Sequence, residues 1–167
     1  MLERRKKLDN KATLDQSIQK QVLEISKEYE VISIFHAMHD EIDTLPIIEA
    51  LLKANKTVAC PIVIDGIMRF AKINSLRDFK KGYFGIMEPT TGVYIEPAVF
   101  DLILVPLLAF NKSLYRVGYG GGYYDGFLKD TQAFKLGLAY TFQEVECEFQ
   151  KDYDIALDAV LTEKGVY

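Results

Sequence analysis

A glycine-rich segment constrains the fold of this 167-residue chain more than any other stretch. Between Arg116 and Asp125, four of the five positions from Gly118 to Gly122 are glycine. Glycine allows positive φ angles and close backbone approach, so successive N–H groups can turn toward one anion. A continuous apolar run, Leu102–Phe110, precedes the segment and is typical of a strand buried on both faces of a parallel sheet.

A helix is predicted directly after the glycines, because Tyr124, Phe127 and Leu128 fall at helical spacing. A strand, a glycine loop and a helix N-terminus together favour phosphate binding. The loop is not a Walker A sequence, because no Gly-Lys-Ser/Thr follows, and Tyr123 occupies the third glycine position of the dinucleotide fingerprint. Glycine content by itself is equally typical of a flexible surface turn.

Two flanking charges favour the anion-binding interpretation of this loop. Arg116 can fork onto phosphate oxygens, and Asp125 has the chemistry of a magnesium ligand. An aspartate in the first turn of a helix also has a structural explanation, since it stabilises the helix dipole by about 0.3–1 kcal/mol with no metal present.

Composition and charge exclude several classes of protein. Hydrophobic residues make up 49% and charged residues 26% of the chain, as in an ordinary globular domain. The net charge of −4 gives no reason to expect a nucleic-acid partner, and no signal peptide or apolar run of spanning length predicts membrane insertion. Cys60 and Cys147 lie far apart without metal-binding spacing, which indicates structural thiols in a reduced, cytoplasmic protein. The length predicts one domain.

Helical and strand patterns alternate along the chain, which predicts an α/β fold. A capping box at Thr13 and Gln16 predicts the start of a helix that ends near Glu28, and Thr44 and Pro46 mark the start of another. Buried strands are predicted at 31–35, 57–62, 68–73, 102–110, 135–140 and 157–162. The segment from Gln143 to Glu148 is predicted to be exposed.

Potential ligand-binding residues follow the first predicted strand. In a parallel sheet, ligands bind beyond the carboxyl ends of the strands, and the segment from His36 to Asp43 lies at such an end. It contains Met38 and Glu41. Taken alone, Glu41 is more typical of an ordinary loop acid, and His36 shows no metal-ligand spacing.

The motifs together resemble one known family. The run Pro106-x-x-Ala109-Phe110, followed by Arg116-x-Gly-x-Gly-Gly-Gly-Tyr-Tyr-Asp125, closely resembles the 5-formyltetrahydrofolate cyclo-ligase (methenyltetrahydrofolate synthetase) family. The Met38-x-x-Glu41-x-x-Thr44 and Gly85-Ile-x-Glu-Pro89 segments also match, and the resemblance extends from about Arg5 to the end. It implies a three-layer α/β/α fold around a mostly parallel central sheet. The implied layout is Rossmann-like, of the NagB/CoA-transferase-like type.

The resemblance also implies a set of site residues. Those implied to bind ATP are Arg4, Arg5, Arg116, Val117, Gly118, Tyr119, Gly120, Gly121, Gly122, Tyr123 and Tyr124. Those implied to bind the folate are His36, Met38, Glu41, Phe84, Tyr119, Gly120, Gly121, Gly122 and Tyr123. Arg116 and Tyr123 are the implied catalytic residues, and Asp125 and Asp158 the implied magnesium ligands.

The implied reaction is the ATP- and Mg²⁺-dependent cyclisation of 5-formyltetrahydrofolate to 5,10-methenyltetrahydrofolate, with release of ADP and phosphate. The implied partners are therefore a reduced folate and ATP, in a monomer or weak homodimer.

The chain departs from the family pattern at several positions. The amino-terminal helix is shortened, because a Lys-x-x-Leu-Arg-like segment of the family is missing. Ile62 replaces a commonly basic residue, Gly121 a lysine of many homologues, and Asn111 a common aspartate.

Two other functions remain open at this stage. A sugar-phosphate isomerase or CoA-transferase-like enzyme would need a carboxylate or lysine placed for proton abstraction and would not require ATP. A non-catalytic folate- or nucleotide-binding regulator would keep the pocket without turnover.

Overall fold

A computed structural model describes residues 1–38, 40–82 and 85–167 of the chain. Phe84, which the resemblance implies as a folate contact, lies outside the described residues, as does His39.

A central sheet organises the fold, and eight of its strands belong to the described residues. In spatial order they are β12 (Gly165–Val166), β11 (Ala159–Thr162), β10 (Phe134–Leu138), β7 (Leu102–Pro106), β1 (Val31–Ser33), β2 (Thr57–Ile64), β3 (Ile67–Ile73) and β6 (Tyr94–Ile95). The five strands from β11 to β2 are parallel, whereas β12, β3 and β6 pair antiparallel at the two edges. The predicted mostly parallel sheet is confirmed.

Helices cover both faces of this sheet, as the three-layer prediction requires. The described helices are α1 (Leu2–Lys6), α2 (Lys11–Ile25), α3 (Leu45–Lys53) and α4 (Tyr123–Leu128). Successive residues of a strand point to opposite faces. Leu102 and Leu104 of β7 therefore pack in the core with α2 and α3, while Ile103 and Val105 pack in the core with α4.

The central strand is shorter than predicted. It ends at Pro106, and the chain turns at Leu107 and Leu108. β8 (Ala109–Phe110) then pairs with β9 (Arg116–Val117) in a separate two-stranded sheet. A second small sheet joins β4 (Phe79–Lys81) to β5 (Met87–Pro89). The break could not be predicted because the residues on both sides of it are apolar and buried.

Other local predictions had mixed outcomes. The turn between β2 and β3 lies at Asp65 and Gly66, with φ angles of 50° and 77°. The capping box at Thr13 is wrong, because α2 already begins at Lys11 and Thr13 donates its backbone N–H to Asn10 O. α1 was not predicted. None of the described helices is both long and apolar enough to traverse a membrane.

Candidate active site

The glycine loop connects β9 to α4, as the sequence predicts. Gly120 and Gly122 have φ angles of 91° and 65°, which favour glycine, and Gly122 is the N-cap of α4. The loop is exposed from Val117 to Gly122. Its root is fixed at the carboxyl end of β7, because Leu108 N donates to Val117 O at 2.7 Å.

An ion pair joins the two ends of this loop. Arg116 Nη2 lies 2.8 Å from Asp125 Oδ1, and Arg116 Nη1 donates to Ile155 O at 2.8 Å. The same Asp125 oxygen accepts from Ile155 N at 3.2 Å. The Arg116 side chain is only 4% exposed, so its guanidinium is buried where it joins the two ends of the loop.

A chain of hydrogen bonds links the loop to two distant parts of the sequence. Arg5 Nη1 donates to the Tyr119 hydroxyl at 2.9 Å, and that hydroxyl donates to Glu41 Oε1 at 2.5 Å. Glu41 Oε2 accepts from Met38 N at 2.8 Å. The structure thereby brings together Arg5 of the predicted ATP set, Met38 and Glu41 of the predicted folate set, and Tyr119, which belongs to both.

Burial and charge keep the Tyr119 phenol protonated. Burial of the hydroxyl and then the negative charge of Glu41 raise the pKa of Tyr119 above its ordinary value. The hydroxyl therefore remains a donor to Glu41 throughout the physiological pH range. Glu41 itself is only 6% exposed.

The floor of the site is the turn at the carboxyl end of β7. Arg5 Nη2 donates to Leu107 O, while Gln143 Nε2 donates to Leu107 O at 3.0 Å and to Leu108 O at 2.9 Å. Gln143 Oε1 accepts from Tyr140 N at 2.9 Å. Gln143 is fully buried, so the prediction of an exposed segment is wrong at this residue, because its amide is committed to backbone groups of two strand ends.

The remaining amino-terminal and loop residues lie around this core. Arg4 Nη1 contacts Phe142 O at 3.3 Å, with its guanidinium 4.6 Å from the centre of the Phe142 ring. The His36 ring packs edge-on against Phe79 at 4.9 Å, and no bond to Glu41 is described for it. The 36–44 loop is fixed by Thr44, whose hydroxyl donates to Phe35 O at 2.7 Å.

The two tyrosines that open α4 have different surroundings. Tyr123 is 43% exposed, and its ring lies against Gly121, where an added Cβ would come within 2.6 Å of a ring carbon. The Tyr124 ring packs toward Phe70, with centroids 6.3 Å apart. The Tyr124 hydroxyl is buried and has no hydrogen-bond partner among the described residues. Burial first, and then the charge of Glu41, raise the pKa of Tyr124 above its ordinary value.

The two predicted magnesium ligands lie in different surroundings. Both described bonds of Asp125 reach Oδ1, so within the described part of the chain Oδ2 is the oxygen that a cation could take. Asp158 lies at the amino end of β11, where Oδ2 contacts Lys135 N at 2.8 Å and Lys135 Nζ at 3.0 Å. Asp125 beside the glycine loop fits a single-carboxylate magnesium site. The described contacts of Asp158 do not include Asp125.

Comparison with known proteins bears directly on this arrangement. The family model of the 5-formyltetrahydrofolate cyclo-ligase family matches residues 1–163. The chain belongs to this family. The 5-formyltetrahydrofolate cyclo-ligase of Escherichia coli (strain K12) is 31% identical over 144 residues, which cover 81% of this chain and 79% of that protein.

Solved structures of this family agree with the fold. The 5,10-methenyltetrahydrofolate synthetase of Aquifex aeolicus superposes with a TM-score of 0.87 at 32% identity, covering 99% of this chain and 87% of that one. The synthetase of Mycoplasma pneumoniae gives a TM-score of 0.80 at 26% identity, covering 97% and 93%. The predicted family is therefore confirmed, and with it the prediction that this cyclo-ligase-like chain is a ligase. The isomerase and CoA-transferase alternative loses its basis.

Proposed function

We propose that this protein cyclises 5-formyltetrahydrofolate to 5,10-methenyltetrahydrofolate with ATP as co-substrate. The γ-phosphoryl group of ATP passes to the formyl oxygen and ADP is released. The 10-nitrogen then attacks the formyl carbon and loses its proton, and phosphate departs with the former formyl oxygen. The cyclo-ligase relatives carry the name of this reaction, and the hydrogen-bonded chain from Arg5 through Tyr119 to Glu41 is the observation that supports it most directly.

The ATP phosphates are proposed to bind on the exposed glycine loop. Positive φ angles at Gly120 and Gly122 and the start of α4 favour backbone N–H groups turned toward one anion. Arg5 and Arg4 of α1 would add positive charge beside the loop. The guanidinium of Arg116 would contribute positive charge and fix the position of the loop for in-line transfer. Both effects matter because phosphoryl transfer depends on alignment and electrostatic stabilisation.

The pterin ring is proposed to bind at Glu41. A carboxylate whose position is fixed by a backbone N–H can accept hydrogen bonds from the N–H groups of the ring. The Met38 thioether would pack on the ring face, with His36 at the pocket wall. Tyr123, exposed at the start of α4, would lie near the reacting formyl group.

The proposed chemistry requires no nucleophile from the protein. Cys60 is buried, and burial raises its pKa far above the ordinary value, so the thiol is not ionised. Cys60 therefore offers no activated thiolate.

Magnesium is proposed to bind at Asp125 Oδ2, together with phosphate oxygens. When bound, the ion would neutralise charge on the phosphates. Asp158, implied by the family resemblance as a second ligand, contacts Lys135 at the amino end of β11, whereas the glycine loop is rooted at the carboxyl end of the parallel strand β7. The Asp158→Asn variant tests whether it nevertheless binds the ion.

The decisive experiment is an absorbance assay with purified protein, Mg-ATP and 5-formyltetrahydrofolate. We expect an ATP-dependent rise in the near-ultraviolet absorbance of the methenyl product. Glu41→Gln should raise the KM for the folate, whereas the KM for ATP should change little. An absence of ATP-dependent product at saturating substrate would instead favour the non-catalytic regulator.

A cytoplasmic location is proposed for this protein. Both cysteines are free, in keeping with a reduced cytoplasmic environment. A monomer or weak homodimer is proposed, which sedimentation velocity would test.

A further inference from the structure

The hydroxyl of Tyr119 lies where the pterin of the proposed substrate has to bind. Glu41 is the proposed pterin partner, yet it is 6% exposed and each of its oxygens already accepts a hydrogen bond. A ring with two adjacent N–H groups needs open access to such a carboxylate. Each oxygen keeps a second lone pair, but a carboxylate that is 6% exposed is not accessible to a ring, so a group that covers it must move before the folate can bind, if the proposed function holds.

Tyr119 is the donor that can move. The other donor is the backbone N–H of Met38, whose place is set by the turn to Glu41, where Glu41 N donates to Met38 O at 3.0 Å. Tyr119 is 49% exposed, although its hydroxyl points inward. It lies between Gly118 and Gly120, where an added Cβ would meet no atom within 4 Å. Its backbone thus has conformational freedom and free space.

Arg5 holds Tyr119 in this position. Its Nη1 donates to the phenol at 2.9 Å, and its buried Nε has no partner among the described residues. A phosphate oxygen carries negative charge, so it accepts from a guanidinium more strongly than a neutral phenol does. A nucleotide bound on the exposed glycine loop would act on the segment that carries Tyr119. Arg5, which is 4% exposed with Tyr119 in this position, would become available to a phosphate oxygen as the phenol moves.

We propose that Tyr119 gates the folate site: its phenol covers Glu41 until a nucleotide binds and releases it. The gate makes nucleotide and folate binding positively coupled, with the nucleotide adding first. Coupling must be reciprocal, so the folate also tightens nucleotide binding.

Isothermal titration calorimetry of 5-formyltetrahydrofolate, with and without a non-hydrolysable ATP analogue, tests the gate. We expect the analogue to tighten folate binding to the natural protein by about tenfold or more, the size of a charge-assisted hydrogen bond. Tyr119→Phe removes only the hydroxyl, so its folate affinity without nucleotide should rise about tenfold and the coupling should shrink accordingly. Tyr153→Phe, at a phenol that is 67% exposed outside the described network, should behave as the natural protein.

Initial-rate kinetics provide a second measurement. Product-inhibition patterns should show that addition of the nucleotide before the folate is preferred in the natural protein and that neither order is preferred in Tyr119→Phe. Weaker folate binding by Tyr119→Phe, or unchanged coupling in that variant, would overturn the gate. ATP-dependent turnover of the natural protein would still uphold the proposed function in that case. Absence of turnover in the natural protein would overturn both.

Discussion

Arg116 and Asp125 form a 2.8 Å ion pair across the two ends of the glycine loop, nine positions apart in the chain. Ile155 completes the arrangement, since its carbonyl accepts from Arg116 and its N–H donates to Asp125. Two residues that the family resemblance assigns to phosphate and metal binding therefore also hold the loop in shape. Their structural and chemical roles must be separated by experiment.

Substitution of Arg116 by alanine should reduce both stability and turnover. The change leaves Asp125 without its cation, so we expect the free energy of unfolding to fall by about 2–3 kcal/mol, since Asp125 is partly solvated. Turnover should fall by about 100-fold, as for the loss of one preorganised electrostatic group. Urea unfolding and the absorbance assay measure the two effects.

Arg77→Ala serves as the control for that experiment. Arg77 is exposed and should change stability by less than about 0.5 kcal/mol. Unchanged turnover in a folded Arg116→Ala protein would remove Arg116 from the catalytic machinery.

The Asp125→Asn variant should weaken the dependence of activity on magnesium. An amide binds a hard divalent cation less tightly than a carboxylate, so the Mg²⁺ concentration for half-maximal rate should rise about tenfold. Asp130→Asn, at an exposed aspartate just beyond α4, is the matched control and should titrate normally. A normal titration of Asp125→Asn would restrict Asp125 to its structural bonds with Arg116 and Ile155. A raised midpoint for Asp158→Asn would identify a second ligand.

Replacement of Gln143 by leucine should destabilise the floor of the site. It leaves Leu108 O and Tyr140 N without their described partners in a buried region, at a cost of about 2–3 kcal/mol in the free energy of unfolding. The KM for ATP should also rise, because Leu108 N fixes the root of the glycine loop at Val117. The exposed Gln132→Leu should have neither effect. Equal stability of the two variants would contradict this role.

Stability should decline in alkaline solution because of buried phenols. Burial first, and then the hydrogen bond to Asp15 at 2.6 Å, raise the pKa of Tyr140 above its ordinary value of 10.0. As the pH rises, the Tyr140 phenol therefore loses its proton in the unfolded chain before it does so in the folded protein. The stability that this phenol contributes is fully present below pH 10 and is lost as the pH rises past that value.

Urea unfolding of Tyr140→Phe between pH 8 and pH 11 checks this origin. The variant should be about 1–3 kcal/mol less stable at neutral pH, because it loses a bond to a charged group. It should also lose less stability above pH 10 than the natural protein does. Parallel pH profiles for the two proteins would assign the alkaline loss to other groups.

Much of the fold could be predicted because it depends on local patterns. The continuous apolar run of Leu102–Phe110 predicted a buried strand, and the glycines predicted the loop between β9 and α4. The break after Pro106 escaped prediction, since the residues on both sides are apolar and buried. Gln143 carried no sequence signal, because a lone amide in an acidic segment is normally exposed.

The sequence by itself determined the alternation of strands and helices, the glycine loop and the family that its motif identifies. Only the tertiary structure decided which distant groups meet: the Tyr119 hydroxyl with the Glu41 carboxylate, 78 positions away, and the Arg5 guanidinium with the backbone carbonyl of Leu107, 102 positions away. The physical reason is that backbone propensity and hydrophobic periodicity act over a few residues. Contacts between distant residues depend instead on the parallel register of β1 and β7, which carries both loops to the same edge of the sheet.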